Sequence, residues 1–195
     1  TLRSWRFAGT DTGDTAIYNR LELDINRKAS YLFSPSDLRF QPPRVLSLTQ
    51  TTERGTVYKP EALKPLIGLA RSKGLRIHMD GARFFQACAA LSLSPKALSW
   101  ELGVDVLTLG VSKLGGGLSD AILFFDHSLA EGFDHRLKQA GHVPAKFRVL
   151  TAPWLGLLES GLWHTYALHA NAMMEDLESR LKGLGLHPVY PREAN

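Results

Sequence analysis

Residues 77–87 read IHMDGARFFQA. Together with the two residues before them they split by face: Leu75, Ile77 and Met79 alternate with Arg76, His78 and Asp80. A period of two over residues 75–80 predicts a strand with one apolar and one polar side. The strand ends on an acid, Asp80, and Gly81 follows at once. Beyond it ARFFQACAAL has the spacing of a short helix. A second apolar strand, VDVLTLGV at 104–111, ends against Ser112 and Lys113 and runs into Gly115, Gly116 and Gly117. An acid and a lysine therefore leave two strand exits 33 residues apart.

The flanking segments keep the same rhythm. VLSLTQ, 45–50, predicts a strand, and TTERGTVYKP is a loop with a turn at Gly55. Pro60 opens a helix, EALKPLIGLARSK, with Leu63, Ile67 and Ala70 on one stripe, and Gly74 stops it. Ser94-Pro95 starts another helix, KALSWEL. AILFFD, 121–126, is a nearly unbroken apolar run, as a strand covered on both faces would be. Leu162, Tyr166, Ala170, Met173, Leu177 and Leu181 mark a long amphipathic helix ending near Gly183 and Gly185. HPVYP, 187–191, starts something strand-like. Residues 1–43 are polar and turn-rich; Leu21, Leu23 and Ile25 suggest a short strand, and Phe40-Gln41-Pro42-Pro43 punctuates the chain. Strand, helix, strand, helix, strand predicts an α/β fold with a mostly parallel sheet. Such sheets bind ligands outside the carboxyl ends of their strands, where Asp80 and Lys113 sit.

Composition narrows the function. The 195 residues, 44% hydrophobic and 22% charged, fit one domain or one plus part of another. The net charge of +4 is spread without a Lys/Arg run, which argues against nucleic acid as a partner. An anionic small molecule is a more natural one. The single cysteine, Cys88, excludes disulfides within the chain and suits a reducing, cytoplasmic setting; its apolar helical neighbours predict a buried thiol. No apolar run approaches a membrane span and no signal-peptide pattern opens the chain. A start at Thr1 without methionine fits processing or a fragment. The seven histidines show no metal-ligand spacing, and there is no GxxxxGK[ST] loop.

The acid and the lysine suit a pyridoxal phosphate site. A lysine amine condenses with the aldehyde as a Schiff base, and a carboxylate facing the ring nitrogen keeps the ring an electron sink. That carboxylate–pyridinium hydrogen bond is worth about 1.5–3 kcal/mol, or roughly one to two pKa units on the ring. Asp80 could instead be a turn former or helix cap, and Lys113 a solvated surface residue. The buried strand before Lys113 predicts a desolvated amine, and the glycines after it permit close backbone approach. Arg83, three residues after Asp80, could grip a substrate carboxylate or form a surface ion pair. His78 shares the face of Asp80, with a satisfied core histidine as the plainer reading.

Four stretches resemble the threonine aldolase and β-eliminating lyase family: SLTQTTERGTVYKPEAL, GLRIHMDGARFFQA, GVDVLTLGVSKLGGGLSDAILFFD and KFRVLTAPWLGLLESGLWHTYALHANAM. They cover most of residues 43–182 in matching order. The resemblance implies the core of a fold-type-I pyridoxal-phosphate-dependent large domain, with a long helix leading to a truncated small domain. It implies Lys113 as the Schiff-base lysine, Asp80 as the ring-nitrogen partner, and Arg83 against the cofactor hydroxyl or substrate carboxylate. Ser112 and Gln50 would touch the cofactor, Thr51 would border the same pocket, and Lys146 and Arg148 would lie near the site. Three parts are expected: an atypical segment at 1–43, a partial cofactor-binding domain at 44–150, and a linking helix with the start of a small domain at 151–195. The implied reaction is retro-aldol cleavage of L-threonine, or a related β-hydroxy amino acid, to glycine and an aldehyde. The implied partners are an amino acid substrate and, in an intact family member, further copies of the chain. A β-eliminating or other pyridoxal-phosphate-dependent lyase and a non-catalytic remnant are the alternatives. Residues 1–42 do not look like the family's phosphate cup and ring-stacking segment, so little aldolase activity is expected from this chain alone.

Overall fold

The computed structural model describes residues 4–6 and 44–195. The possible strand at 21–25 and the punctuation at 40–43 lie outside them. Five strands form one sheet in chain order: β1 (Ser4–Arg6), β2 (Val45–Thr49), β3 (Arg76–Gly81), β4 (Val106–Gly110) and β5 (Asp120–Phe124). β1 to β4 run parallel and β5 returns antiparallel to β4. The chain is thus α/β with a mostly parallel sheet.

Register sorts the side chains. Leu46 pairs with Ile77, Leu48 with Met79, and Met79 with Leu107, all buried. One residue along, Ser47 pairs with His78, Thr49 with Asp80, and Asp80 with Thr108. The period of two read at 75–80 therefore runs across the sheet as an apolar face and a polar face. Each fully buried Leu, Ile or Met on the apolar face contributes roughly 1.5–3 kcal/mol of transfer free energy.

Helix α1 (Pro60–Ser72) follows β2 and buries Leu63, Leu66, Ile67 and Ala70. It stops as predicted: Gly74 adopts φ +72°, and the Leu75 amide donates to the Ala70 carbonyl at 3.0 Å. Helix α2 (Phe84–Leu91) follows β3 and is buried nearly all round, Cys88 included. Burial pushes the Cys88 thiol up to about 12, so it remains protonated and inert. Beyond β5 come α3 (Phe133–Gln139), α4 (Phe147–Glu159) and the long α5 (Leu162–Gly183). α5 packs on α2, where the Phe85 and Trp163 rings lie 5.1 Å apart.

Asp105 braces the opposite end of the sheet. Its carboxylate accepts the Ile77 amide at 2.6 Å and pairs with Arg71 at 2.8 Å and Arg76 at 3.5 Å.

Four expectations change. KALSWEL is not a regular helix: turns lead into a single 3-10 turn, Trp100–Leu102, ended by Gly103 at φ +95°. Ser99 donates to the Pro95 carbonyl at 2.6 Å, closing the chain locally before an α-helix can propagate. Among the described residues AILFFD is not covered on both faces: β5 ends the sheet, and Ile122 and Leu123 are each 40% exposed. The stripe of α5 does not face inward either. Tyr166, Met173, Leu177 and Leu181 are exposed, while Ala167 is fully buried and Trp163, Ala170 and Asn171 are half-buried. HPVYP forms no strand; residues beyond it fold back onto the loop after β2.

Candidate active site

The site is built where β3 and β4 end side by side. Asp80 is the penultimate residue of β3, half-buried, and pairs in register with Thr49 on one side and Thr108 on the other. Its Oδ1 accepts the Ala82 amide at 3.2 Å, which fixes the carboxylate at the turn. Gly81 is required there: a Cβ would lie 2.8 Å from the Thr108 carbonyl oxygen and 2.8 Å from Leu107. Arg83 is half-buried one turn on, and its carbonyl accepts from Thr51 Oγ1 at 3.3 Å. Among the described residues no hydrogen bond or ion pair engages its guanidinium.

Lys113 lies in a single 3-10 turn, Ser112–Leu114, three residues after β4. Gly115 closes the turn at φ +74°. Gly116 packs so tightly that a Cβ would collide with the side chains of Leu157 and Val111. The lysine side chain is exposed, as is Ser112, which corrects the desolvation expected from the buried strand. The strand is indeed buried up to Val111; the turn then swings the lysine out.

The structure thus brings Asp80, Arg83, Ser112 and Lys113 to one edge of the sheet. Gln50 belongs to that edge differently from the contact expected of it. It is 1% exposed, its Nε2 donates to the Tyr58 carbonyl at 2.7 Å, and its Oε1 accepts the Tyr58 amide at 3.0 Å. Its side chain is committed to holding the loop, and its own amide donates to the Asp80 carbonyl at 2.9 Å. Thr51 is buried beside it. Lys146 and Arg148 are exposed around the start of α4.

His78 sits one step back on the same face. Its Nδ1 is 2.7 Å from Ser47 Oγ and its Nε2 2.9 Å from Thr108 Oγ1, so it ties three strands together beneath Asp80. Two further residues escaped the sequence reading. Asp120 opens β5 opposite Gly110 and adds a second carboxylate to the edge; only the antiparallel return of β5 brings it there. Gln86 is buried in α2 and donates to the Lys113 carbonyl at 3.2 Å. Among the described residues no group of three His, Cys, Asp or Glu side chains could hold a metal ion. No described helix is long and apolar enough to cross a membrane.

The chain places an acid and a lysine at adjacent strand exits of a mostly parallel sheet, and comparison with known proteins gives its family. The model of the beta-eliminating lyase family matches residues 7–195, and the chain belongs to that family. The match takes in residues 7–43, for which the motifs gave no counterpart. A low specificity L-threonine aldolase of Pseudomonas sp. (strain NCIMB 10558) is 47% identical over 82% of this chain and 46% of its own length. That of Pseudomonas aeruginosa is 48% identical, also over 82% of this chain and 46% of its own. The chain therefore spans about half the length of these relatives. A threonine aldolase structure from Leishmania major superposes with a TM-score of 0.79 at 25% identity, over 88% of this chain and 50% of that one. The PLP-bound C-S lyase of Staphylococcus hominis shares the fold alone, with a TM-score of 0.54 at 13% identity over 91% of this chain and 42% of that one.

Proposed function

We propose that this chain carries the lysine, the acid and the arginine of a pyridoxal-phosphate-dependent carbon–carbon lyase that cleaves L-threonine, or a related β-hydroxy amino acid, to glycine and an aldehyde. The observation that carries the reading is the exit of Asp80 and Lys113 from neighbouring parallel strands in a chain 47–48% identical to threonine aldolases. The residues present fit the cofactor. Lys113 offers an exposed primary amine, which suits condensation with an aldehyde, and a half-buried carboxylate held by a backbone amide suits a protonated ring nitrogen.

When bound, pyridoxal phosphate supplies an electron sink for the bond being broken. Lys113 would hold it covalently through Nζ. Asp80 would keep a proton on its ring nitrogen, and the Ala82 amide keeps the carboxylate aimed. Ser112, beside the lysine, would add a hydroxyl to the cofactor's surroundings. Arg83 would grip the substrate carboxylate with two parallel N–H donors. Gln50 acts through the wall it builds, by fixing Tyr58 and bonding the backbone of Asp80. Residues 44–150 would be part of the cofactor-binding domain and 151–195 the helix toward a small domain. The intact protein would be a homo-oligomer.

A chimera tests this: residues 44–195 set between the flanking N-terminal and C-terminal parts of the Pseudomonas relative, given cofactor and L-threonine. Glycine and aldehyde in equal amounts are expected. Asp80→Asn should lower turnover at least about a hundredfold, and Lys113→Ala should lower it further. A 2-oxo acid with ammonia would make the chain a β-eliminating lyase instead. Undiminished turnover in Lys113→Ala would remove the reading.

A further inference from the structure

We infer that Gln86 is the positioning residue for Lys113, setting the backbone from which the lysine side chain extends. The inference rests on the reading of Lys113 as the cofactor-holding lysine. Lys113 is exposed, and among the described residues nothing engages its ammonium. Its aim is therefore that of the turn beneath it. The turn's own hydrogen bonds do not use the Lys113 carbonyl. Leu114 and Gly116 amides donate to the Val111 carbonyl, each at 2.9 Å, and the Gly115 amide donates to the Ser112 carbonyl at 3.2 Å. The Lys113 carbonyl accepts instead from Gln86 Nε2 at 3.2 Å.

Gln86 is suited to the task. It is 1% exposed in a helix buried nearly all round, so its side chain has little freedom to leave. It is six residues beyond Asp80, on the helix that the Asp80 turn launches. The contact thus locks the lysine turn to the element that carries the acid. A second amide stands behind the first: Asn171 of α5 donates from Nδ2 to the Gln86 carbonyl at 3.0 Å. Asn171 Oδ1 in turn accepts the Asn195 amide at 2.9 Å. Two side chains with no titratable group, Asn171 and Gln86, link α5 to the carbonyl of Lys113, independent of pH in the neutral range.

Gln86→Met keeps the length and removes the donor. Hydrogen exchange is measured on the full chain without cofactor, and pyridoxal phosphate followed by borohydride is then used to label lysines for peptide mapping. Exchange at Leu114, Gly115 and Gly116 should rise about tenfold, while the amides of Leu48 and Met79 in the sheet stay unchanged. Label at Lys113 should fall severalfold against the other lysines. Asn171→Leu, which leaves the Gln86 side chain in place, should shift the same amides by less and keeps the test open if Gln86→Met does not fold. Unchanged exchange at 114–116 in both variants, with the parent labelled at Lys113, would overturn the role of Gln86 and spare the function. A uniform rise across the sheet would reduce Gln86 to a packing residue and overturn it too. A parent chain without label at Lys113 would take down the function and the inference together.

Discussion

Asp105 and Asp80 are both aspartates on the same three-strand core, and their surroundings assign them opposite work. Asp105 is 5% exposed and saturated: one oxygen holds the Ile77 amide, the other faces Arg71 and Arg76. Asp80 is half-exposed at the far end of β3, with the Ala82 amide fixing it in place. Asp105→Ala would leave the Ile77 amide unpaired in the interior. Both arginines are partly exposed and would stay hydrated, so the loss is put at about 2–3 kcal/mol. Urea unfolding measures it; a loss below about 0.5 kcal/mol would mean that water replaces the carboxylate. Asp80 was legible in the sequence because its strand alternates and Gly81 follows. Asp105 was not, because its partners are 28 to 34 residues away and no local pattern announces them. Gln86 was hidden for the same reason: a glutamine in an apolar helix reads as an interruption until the carbonyl it serves is located.

Elements were legible where period and punctuation agreed. Strands β2, β3 and β4 and helices α1 and α2 lie where alternation, Pro60 and Gly74 put them. The orientation of α5 was misread. The face that meets α2 carries Trp163, Ala167 and Ala170, while Tyr166, Met173, Leu177 and Leu181 point away from it. Where the described chain ends, the segment after α5 returns to the loop after β2. Glu193 and Ala194 amides donate to the Gly55 carbonyl at 2.8 and 3.0 Å, and the Val57 amide donates to the Glu193 carboxylate at 2.8 Å. Arg192 anchors this segment to Glu178 of α5. Lys182, and after it Arg192, hold the Glu178 carboxyl below the usual carboxylate range. A lowered carboxyl stabilises the fold above its unfolded pKa, about 4.3, and that contribution is lost as pH falls through the lower, folded value. The Nε–H signal of Arg192, followed by NMR, should therefore persist just below pH 4.3 and move only in stronger acid. Glu178→Gln should abolish that titration. A midpoint at or above the ordinary glutamate value would show that the pair does not persist in solution.

At the scale of the molecule, the sheet divides its labour between its two ends. One end is braced by Asp105, Arg71 and Arg76; the other gathers Asp80, Arg83, Ser112, Lys113 and Asp120. This polarity follows from parallel strands, whose carboxyl ends share one edge. The exposed apolar side chains of β5, α4 and α5 explain why an apolar run such as AILFFD promised more burial than the described residues provide. Family membership rests on the whole pattern, since about half the length of the relatives suffices to carry it. The proposed chemistry rests on one side chain, that of Lys113. Treating the chain with pyridoxal phosphate, reducing with borohydride and mapping the labelled peptides tests it most directly. The cofactor should be found on the peptide containing Lys113, and Lys113→Ala should lose that label while exposed lysines elsewhere keep their faint background. Label spread evenly over surface lysines such as Lys59, Lys138 and Lys182, with none at Lys113, would contradict the account.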